Sequence, residues 1–400
     1  MNDYDVAIVG YGPTGMTLAA LLGQLGQRVV VLERYAGLYN LPRAACFDDE
    51  IMRTFQKLGL VAEISRGAEV QRGYQWVNAT GQTLVDFQYD NPAPGGWAAL
   101  YMMFQPHIEA VLDRHDKSLP TVEVRQGVTI SEMEQNGEAV TLRGVGPNNE
   151  PVSVRARFAV GADGGNGFTR RTFGQQIDDY GFQENWSVCD FRLRGTVQPP
   201  RFRQVCDPAQ PIAIVNIGPG HHRFSFMLDP DDTAEEATKH EGVWSRVSSY
   251  LTKDDAELVR VANYVFRSRI VKQWRHGRVF LAGDAAHEMP PFSPKACVRG
   301  YATATISPGS STSYLPVGRT TRCWILTSPS ENRTFVSLPR KPSNLAEFRP
   351  CATRSRRASA TSGFSLNGVH TEDPSSCVTP GWGAAWSLTA ASSSRRDASA

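Results

Sequence analysis

Three short stretches of the chain combine glycines with a carboxylate, a combination suited to binding a nucleotide. In the first, Gly10, Gly12 and Gly15 have G-x-G-x-x-G spacing, and Glu33 follows 18 residues after the last of them. The others are "GADGG" at 161–165 and "AGDAAH" at 282–287. Glycines let the backbone approach phosphate groups, and a carboxylate accepts hydrogen bonds from sugar hydroxyls. The stretches together predict a dinucleotide site assembled from distant parts of the chain.

The first stretch lies in a strand–helix–strand pattern. Residues 6–9 form an apolar run, apolar residues recur at helical spacing after the glycines, and "RVVVLE" at 28–33 is a second apolar run. The first turn of such a helix presents N–H groups and a partial positive charge to phosphates. Glu33 indicates a ribose without a phosphate, and therefore FAD or NAD. The pattern predicts that the cofactor contacts Gly10, Gly12, Pro13, Thr14, Gly15, Glu33 and Arg34.

Two further predicted strands, at 156–162 and 277–283, lead into the other glycine–carboxylate stretches. In this order and at these separations, the motifs resemble those of single-component FAD-dependent aromatic hydroxylases, and the resemblance covers residues 4–292. It implies that Asp284 binds the ribitol chain of FAD. It also implies that Asp163 and Gly164 lie between the flavin pyrophosphate and the approaching nicotinamide nucleotide. The remaining cofactor-binding candidates in the last motif are Gly283, Pro290 and Pro291.

Two longer segments narrow the resemblance. "LPRAACFDDEIMRTFQKLGL" at 41–60 and "YMMFQPHIEAVL" at 101–112 are similar to 3-(3-hydroxyphenyl)propionate/3-hydroxycinnamic acid hydroxylases. In those enzymes, the residues that match Arg43 and Gln105 touch the flavin. The chain departs from that subgroup at "ACF", residues 45–47, where a small residue followed by Gly-Ile is more usual.

The resemblance implies an FAD-dependent monooxygenase that uses NADH or NADPH and O2. It would hydroxylate a phenolic ring beside the existing hydroxyl, most readily that of 3-(3-hydroxyphenyl)propionate or 3-hydroxycinnamate in aromatic catabolism. The cofactor carries such chemistry, and the protein orients the ring and excludes water. Two alternatives stay open, which are a hydroxylase of another phenol (a chlorophenol, resorcinol or a polyketide) and a catalytically inactive remnant.

No catalytic side chain can be assigned firmly from the sequence. A free phenol has a pKa of about 10, so a base or hydrogen bonds must favour its anion. Asp48 and Asp49 are candidates for this role, but they could equally cap a helix that begins near Glu50. Arg223 is a candidate cation for a substrate carboxylate, although surface arginines are common.

The sequence predicts an α/β fold, in which a Rossmann-like FAD-binding domain carries an inserted antiparallel-sheet substrate domain, as in aromatic hydroxylases. The seven cysteines and eight histidines show no metal-ligand spacing, and no basic leader or long apolar run is present. Residues 1–293 carry 29 basic and 35 acidic groups, which favours neither nucleic acid nor membrane as a partner. We therefore expect a cytoplasmic protein that binds a small aromatic substrate, with no metal and an oligomeric state left open.

The predicted parts are 1–75, 106–175 and 271–293 for FAD binding, 76–105 and 176–270 for the substrate domain, and 294–400 as an irregular, disordered tail.

The tail differs in character from the rest of the chain. It contains 31 Ser and Thr among 107 residues, and 13 basic against 5 acidic groups. In the family, the last motif is followed by a loop and a helix whose N-terminal amides lie against the flavin, and no such segment follows Phe292. The tail can be translated back into its possible codons, and these can then be read in the frame that starts at the third base of each codon. In that frame, the codons from Lys295 onward can encode "QGMCS". They also allow "ALLDSYQTERKPHV" over "TRCWILTSPSENRTFV", residues 321–336. The pattern predicts a frameshift near residue 293.

Overall fold

A computed structural model of the chain describes residues 3–89, 92–174, 176–229, 231 and 238–289, together with two short strands at 321–323 and 336–338. One compact unit comprises Met1–Lys341, and the second, Pro342–Ala400, contains no described residue. The strands are β1 (Tyr4–Val9), β2 (Val29–Glu33), β3 (Cys46–Asp48), β4 (Ala68–Val70), β5 (Gly73–Asn78), β6 (Thr83–Gln88), β7 (Leu100–Met103), β8 (Val122–Gln126), β9 (Thr129–Gln135), β10 (Val140–Val145), β11 (Pro151–Gly161), β12 (Ile177–Leu193), β13 (Phe202–Cys206), β14 (Ile212–Asn216), β15 (His221–Met227), β16 (Ala256–Val271), β17 (Arg275–His276), β18 (Val279–Leu281), β19 (His287–Glu288), β20 (Thr321–Cys323) and β21 (Val336–Leu338). The α-helices are α1 (Pro13–Gln24), α2 (Asp49–Leu58), α3 (Val61–Ile64), α4 (Gln105–Ser118), α5 (Phe168–Phe173) and α6 (His240–Val247).

The first large sheet has the order β17-β18-β11-β1-β2-β8, and the pairings from β18 to β8 are parallel. β9 and β10 extend β11 as antiparallel strands. β1 and β2 are apolar and almost wholly buried, as expected for parallel strands covered on both faces. Because β1, β11 and β18 run parallel, their carboxyl ends meet at one edge of the sheet. This edge brings together the three glycine–carboxylate stretches.

The second large sheet has the order β19-β16-β12-β15-β14-β13-β5-β6 and is antiparallel except at the β13–β5 pair. One of its faces packs against α6, where Val243 and Val247 join a buried cluster with Phe224 and Phe226. A small sheet, β3-β7-β4, joins a buried cluster with Val215 of the second sheet on one side. Its residues Phe47 and Met103 join the buried cluster that contains β1 and β2 of the first sheet. The predicted α/β fold with an inserted antiparallel sheet is confirmed.

The predicted domain boundaries stay a prediction. Strands of the first sheet come from residues 4–33, 122–161 and 275–281, and strands of the second from 73–88, 177–271 and 287–288. Of the tail at 294–400, only the antiparallel pair β20–β21 is described. The prediction that this segment is irregular otherwise falls outside the described residues. No helix in the part of the chain that the structure describes is long and apolar enough to cross a membrane.

A buried tyrosine–aspartate pair links α4 to the loop that carries the first glycines. Tyr11 lies between Gly10 and Gly12, and its hydroxyl donates to Oδ2 of Asp116 at 3.1 Å. Asp116 is fully buried, and its Oδ1 accepts no hydrogen bond from the described residues. Burial raises the pKa of Asp116 to about 8, against the opposing effect of the Tyr11 hydrogen bond. The acid is therefore largely neutral at pH 7.

We expect Asp116→Asn to reduce the pH dependence of the free energy of unfolding. Because the pKa is higher in the folded state than the ~3.9 of an unfolded aspartate, the stabilisation is complete below about pH 4 and is lost as the pH rises through about 8. Asparagine keeps an acceptor for Tyr11 and does not titrate. Urea unfolding at pH 5 and pH 9 measures the difference. Glu138→Gln, at a side chain that is 85% exposed, is the control. An equal loss of stability from pH 5 to pH 9 in Asp116→Asn and the unchanged chain would contradict the expectation.

Candidate functional site

A groove of about 610 Å³ lies at the carboxyl edge of the first sheet. Gly12, Glu33, Asp163 and Asp284, which come from distant parts of the chain, all line it. The sequence-predicted residues along its walls are Gly10, Gly12, Pro13, Thr14, Glu33, Arg34, Arg43, Gln105, Asp163, Gly164 and Asp284. Pro290 and Pro291 lie outside the described residues.

Each glycine of the first motif is required at its position for a different structural reason. Gly10 has φ +103°, and a Cβ there would stand 2.5 Å from the carbonyl oxygen of Ala162. A Cβ on Gly15 would stand 2.1 Å from the carbonyl oxygen of Gly10, so α1 packs directly against the turn. Gly12 has nothing within 4 Å of such a Cβ and lines the groove. Gly12 therefore leaves space for a ligand, whereas Gly10 and Gly15 serve the fold.

The beginning of α1 faces the groove without a side-chain cap. Gly12 is its N-cap and Pro13 is its first residue, and no side chain caps the helix. Pro13 lacks an N–H and has a φ that suits this position. The uncapped first turn of a 12-residue helix, lying in a groove floored by glycine, is a site for the phosphates of a dinucleotide.

Glu33 is held in place by two backbone amides. Its Oε2 accepts from the N–H of Tyr11 at 2.7 Å, and its Oε1 accepts from the N–H of Tyr35 at 3.0 Å. Each carboxylate oxygen keeps a further lone pair for another donor. Glu33 at the end of β2 can therefore accept the hydroxyl groups of a ribose while it fixes the glycine turn.

Asp163 lines the groove and also caps α5. Its Oδ2 accepts from the N–H of Thr169 at 2.9 Å, and its Oδ1 accepts from the Thr169 hydroxyl. Burial raises the pKa of Asp163, and the two bonds from Thr169 oppose that rise. Gly164 follows with φ +84°, a conformation that glycine adopts readily. The "DG" pair thus fixes the turn after β11 as well as one wall of the groove.

Asp284 also lines the groove, on the turn after β18. Its side chain is exposed to the groove, although many protein atoms lie around it. The loss of surrounding water raises its pKa most, and the negative charge of Glu288 raises the pKa further. Its carbonyl oxygen accepts from Nη1 of Arg170 at 3.1 Å, and the same nitrogen pairs with Glu288 at 2.8 Å. Gly283 does not line the groove, and a Cβ there would stand 2.6 Å from Oγ1 of Thr14. Gly283 therefore allows this turn to approach the start of α1.

Arg43 and Gln105 lie at one end of the groove in a network that includes a third residue. Oε1 of Gln105 accepts from the N–H of Arg43 at 3.1 Å and from the N–H of Ala44. Its Nε2 donates to Oε1 of Glu109 at 2.6 Å, and Nη2 of Arg43 donates to the same oxygen at 3.2 Å. Sequence reasoning missed Glu109, although a charged residue between Ile108 and the apolar pair at 111–112 was a usable signal.

The structure supports the capping interpretation of the two acidic candidates. Asp48 is the N-cap of α2, and its Oδ1 accepts from the N–H of Ile51 at 3.1 Å. Burial raises the pKa of Asp48 to about 6. Oδ2 of Asp49 accepts from the N–H of Gly95 at 2.8 Å. Neither residue lines the groove, so neither contacts the cofactor site.

Arg223 is not the free cation that the sequence suggested for a substrate carboxylate. Its Nε donates to Oδ1 of Asp190 at 2.6 Å, and its Nη2 donates to the carbonyl of Pro42 and to Oδ2 of Asp190, both at 3.1 Å. Its Nη1 donates to the carbonyl of Arg43. Arg260 donates to the carbonyl of Pro42 as well. This buried clamp uses the Arg223 guanidinium to hold the loop at 42–43, and the role of Arg223 toward a substrate carboxylate stays a prediction.

The residues present fit an FAD molecule. A glycine turn and an uncapped helix suit its pyrophosphate, Glu33 suits its ribose, and Asp284 suits its ribitol hydroxyls. The space above Gly12 is consistent with this fit, because a side chain there would fill part of the groove. Arg43, Gln105 and Glu109 stand at one end of the groove with polar groups already ordered.

Comparisons with known proteins agree with this site. Residues 3–295 match the model of a family described as FAD binding domain. The chain is 60% identical over 298 residues to a probable NADH-specific resorcinol 4-hydroxylase of Rhodococcus jostii (strain RHA1), covering 74% of this chain and 56% of that protein. It is 36% identical over 290 residues to a 3-(3-hydroxyphenyl)propionate/3-hydroxycinnamic acid hydroxylase of Mycobacterium sp. (strain JLS), covering 72% of this chain and 50% of that one. The chain thus spans about half the length of the curated relatives that it matches.

Solved structures of a monooxygenase and a hydroxylase also superpose on this chain. The p-nitrophenol 4-monooxygenase PnpA of Pseudomonas putida DLL-E4 superposes with a TM-score of 0.68 at 26% identity, covering 76% of this chain and 78% of that one. Aklavinone-11 hydroxylase, solved with FAD and aklavinone, has a TM-score of 0.66 at 26% identity and covers 76% of this chain and 61% of that one.

We expect Gly12→Ala to weaken FAD binding about tenfold or more while the apo-protein keeps its stability. The new methyl group meets no protein atom but enters the groove, and φ at this position is −83°, which alanine tolerates. Gly10→Ala is the matched comparison, and we expect it to lower the unfolding midpoint because of its positive φ and its clash with Ala162. Titration of FAD fluorescence and thermal unfolding check the two effects. Wild-type FAD affinity in Gly12→Ala would rule out this placement of the phosphates.

Proposed function

The chain belongs to the FAD-binding-domain family, and we propose that it supplies the FAD-binding and ring-binding parts of a phenol monooxygenase. The observation that carries the proposal is the shared groove, in which the beginning of α1, Glu33, Asp163 and Asp284 meet. The relatives named as hydroxylases and the solved monooxygenases support the same reaction class.

The reaction consumes a phenol, O2, NADH and a proton, and yields the ring with one added hydroxyl, NAD+ and water. Bound FAD would accept the hydride from NADH and react with O2. This chain's residues hold and orient the reactants. Arg43, Gln105 and Glu109 form a preordered polar wall at one end of the groove. Their hydrogen bonds fix the backbone of 43–44 before any ligand arrives.

The loop at 42–43 separates the groove from the second sheet, and a charged cluster holds it there. Asp190 lies between Arg223 and Arg260, with its nearest oxygens 2.6 Å from Nε of the former and 3.8 Å from Nη1 of the latter. Two guanidinium groups against one carboxylate leave one positive charge in excess. That excess favours the anionic form of a phenol bound nearby, because an opposite charge lowers the pKa of an acid.

The substrate proposal is a dihydric phenol of the resorcinol type, with NADH as reductant. Sequence motifs favoured 3-(3-hydroxyphenyl)propionate, with resorcinol among the alternatives. The 60% identity to a relative named as an NADH-specific resorcinol hydroxylase, against 36% to the hydroxyphenylpropionate enzymes, favours the alternative. The engagement of Arg223 in the clamp supports this choice, because it removes the candidate partner of a propionate group.

In the protein whose reading frame after residue 293 has been restored, we expect resorcinol to stimulate NADH oxidation that is coupled to a trihydroxybenzene product, at a rate at least tenfold that with 3-(3-hydroxyphenyl)propionate. The assay measures NADH consumption, product and hydrogen peroxide together, with added FAD. NADPH and a ring without a hydroxyl group serve as controls. Coupled hydroxylation of the propionate substrate, with none of resorcinol, would restore the first substrate and reject this one.

We infer further that residues from about 294 onward result from a frameshift, so that the chain as written lacks part of the parent enzyme. The family match ends at residue 295 although the chain continues to residue 400. A relative aligned over 298 residues has 44% of its own length outside the match, since 56% of it is covered. Such a chain would bind FAD weakly and release hydrogen peroxide in place of hydroxylated product.

Resequencing the gene across codons 285–300 is expected to reveal a change of reading frame. The frame-restored protein should then hold FAD through purification and couple NADH oxidation to hydroxylation, whereas the present chain should do neither. Flavin absorbance per protein and the peroxide yield measure this. An unshifted gene, or a present chain that purifies with full flavin and hydroxylates its substrate, refutes the inference.

A further inference from the structure

Two rows of side chains cross the second sheet on the face opposite α6. Residues paired directly across strands share a face, and positions two apart along a strand share it too. The first row contains Arg260, Asp190 and Arg223, in pairs across β16, β12 and β15. This row is the clamp that holds the loop at 42–43. It therefore faces the FAD-binding groove.

The second row lies two residues further along each strand and consists of small side chains. It runs across β16, β12, β15 and β14, and we name it the small-residue patch: Ala262, Val188, Ser225 and Ala213. Large side chains border the patch on the next row, where Trp186 pairs with Tyr264. Small side chains project less far from the sheet than Trp186 and Tyr264, so the patch is a shallow depression beside this row.

Two polar groups face this depression with hydrogen-bonding capacity to spare. Ser225 is 7% exposed, and its hydroxyl has no partner among the residues that the structure describes. Gln204, which pairs with Ala213 at the end of the patch, is 3% exposed. Its Oε1 lies 3.5 Å from the hydroxyl of Tyr74, while its Nε2 has no described partner. Neither atom belongs to the fully buried unpartnered atoms of the described residues, so each remains accessible and can form a hydrogen bond with a ligand.

The spacing of these two groups matches one aromatic ring. Ser225 on β15 and Gln204 on β13 are separated by β14, which sets them roughly 10 Å apart at strand spacings of about 4.8 Å. A ring with two hydroxyl groups, each making one hydrogen bond, fills such a span. Ser225 is two residues from Arg223, whose guanidinium donates to the carbonyl of Arg43 in the groove wall. A ring on the patch would thus lie near the cofactor site.

We propose that Ser225 and Gln204 are specificity-determining residues that hydrogen-bond the two hydroxyl groups of a dihydroxybenzene on the small-residue patch. The inference rests on the proposed function and adds the residues that select its substrate. Carboxylates are recognised best by paired donors of an arginine. The two arginines of the clamp, Arg223 and Arg260, already donate to Asp190 or to backbone carbonyls. The patch offers neutral donors and acceptors, which suit hydroxyl groups.

Calorimetric titration of the full chain with resorcinol, in the presence of excess FAD, tests the proposal. We expect Ser225→Ala and Gln204→Leu each to weaken resorcinol binding about fivefold to tenfold, the effect of one lost hydrogen bond. Ser225→Thr keeps a hydroxyl and should retain most of the affinity. Ser187→Ala is the matched control, because Ser187 is an equally buried serine of the same sheet whose neighbour Phe226 belongs to the opposite face. Thermal unfolding of each variant verifies that it is folded.

The outcomes separate this inference from the proposed function. Unchanged resorcinol affinity in folded Ser225→Ala and Gln204→Leu overturns the inference, as does the absence of resorcinol binding by the unchanged chain. Tighter binding of 3-(3-hydroxyphenyl)propionate than of resorcinol overturns it as well. If the variants weaken binding as expected but the frame-restored protein forms no hydroxylated product, the ring site stands and the proposed reaction fails.

Discussion

The close approach of three backbone segments at one edge of the first sheet is the constraint on which the site depends. A Cβ on Gly10 would stand 2.5 Å from the carbonyl oxygen of Ala162, and a Cβ on Gly283 would stand 2.6 Å from Oγ1 of Thr14. Only glycine permits both contacts without displacing a neighbour. The segments after β1, β11 and β18 can therefore share one groove. Glycine backbone and the carboxylates of Glu33, Asp163 and Asp284 line this groove.

A second interaction connects this groove to the antiparallel sheet. The carbonyls of Pro42 and Arg43 accept hydrogen bonds from Arg223, and Asp190 neutralises part of the charge. Asp190 is only 1% exposed, so its removal would leave two buried guanidinium groups without their counter-charge. Loss of one partner from a buried charge network costs far more than loss of a surface pair. The loop at 42–43, which lies between the groove and the second sheet, is thus held by hydrogen bonds within the protein itself.

The sequence was sufficient for the features that local patterns encode. A strand, a glycine turn and a helix occur together within 25 residues, so Gly10, Gly12 and Gly15 could be assigned roles before the structure was known. Asp190 could not, because its partners Arg223 and Arg260 lie far away in the chain. Glu109 stood out only as a charged residue among apolar neighbours, and its pairing with Arg43, 66 positions away, became evident only in the structure. The partners of Arg223 could not be predicted from the sequence either, because its contact with Pro42 joins residues 181 positions apart. For Asp48 and Asp49, the sequence left two roles open, and hydrogen bonds to Ile51 and Gly95 favour the structural one.

The parts that bind the cofactor and the parts that control its reactivity are therefore distinct. Every glycine–carboxylate motif lies before residue 292, and the phosphates and sugars for which we propose these motifs are groups that any dinucleotide enzyme must hold. Productive use of O2 places a further demand, because water must be kept from the reacting centre. About half the length of the curated relatives lies outside their match to this chain. A groove that can hold a dinucleotide need not also keep water from the reacting centre. An intact set of motifs is therefore evidence for cofactor binding and not for coupled turnover.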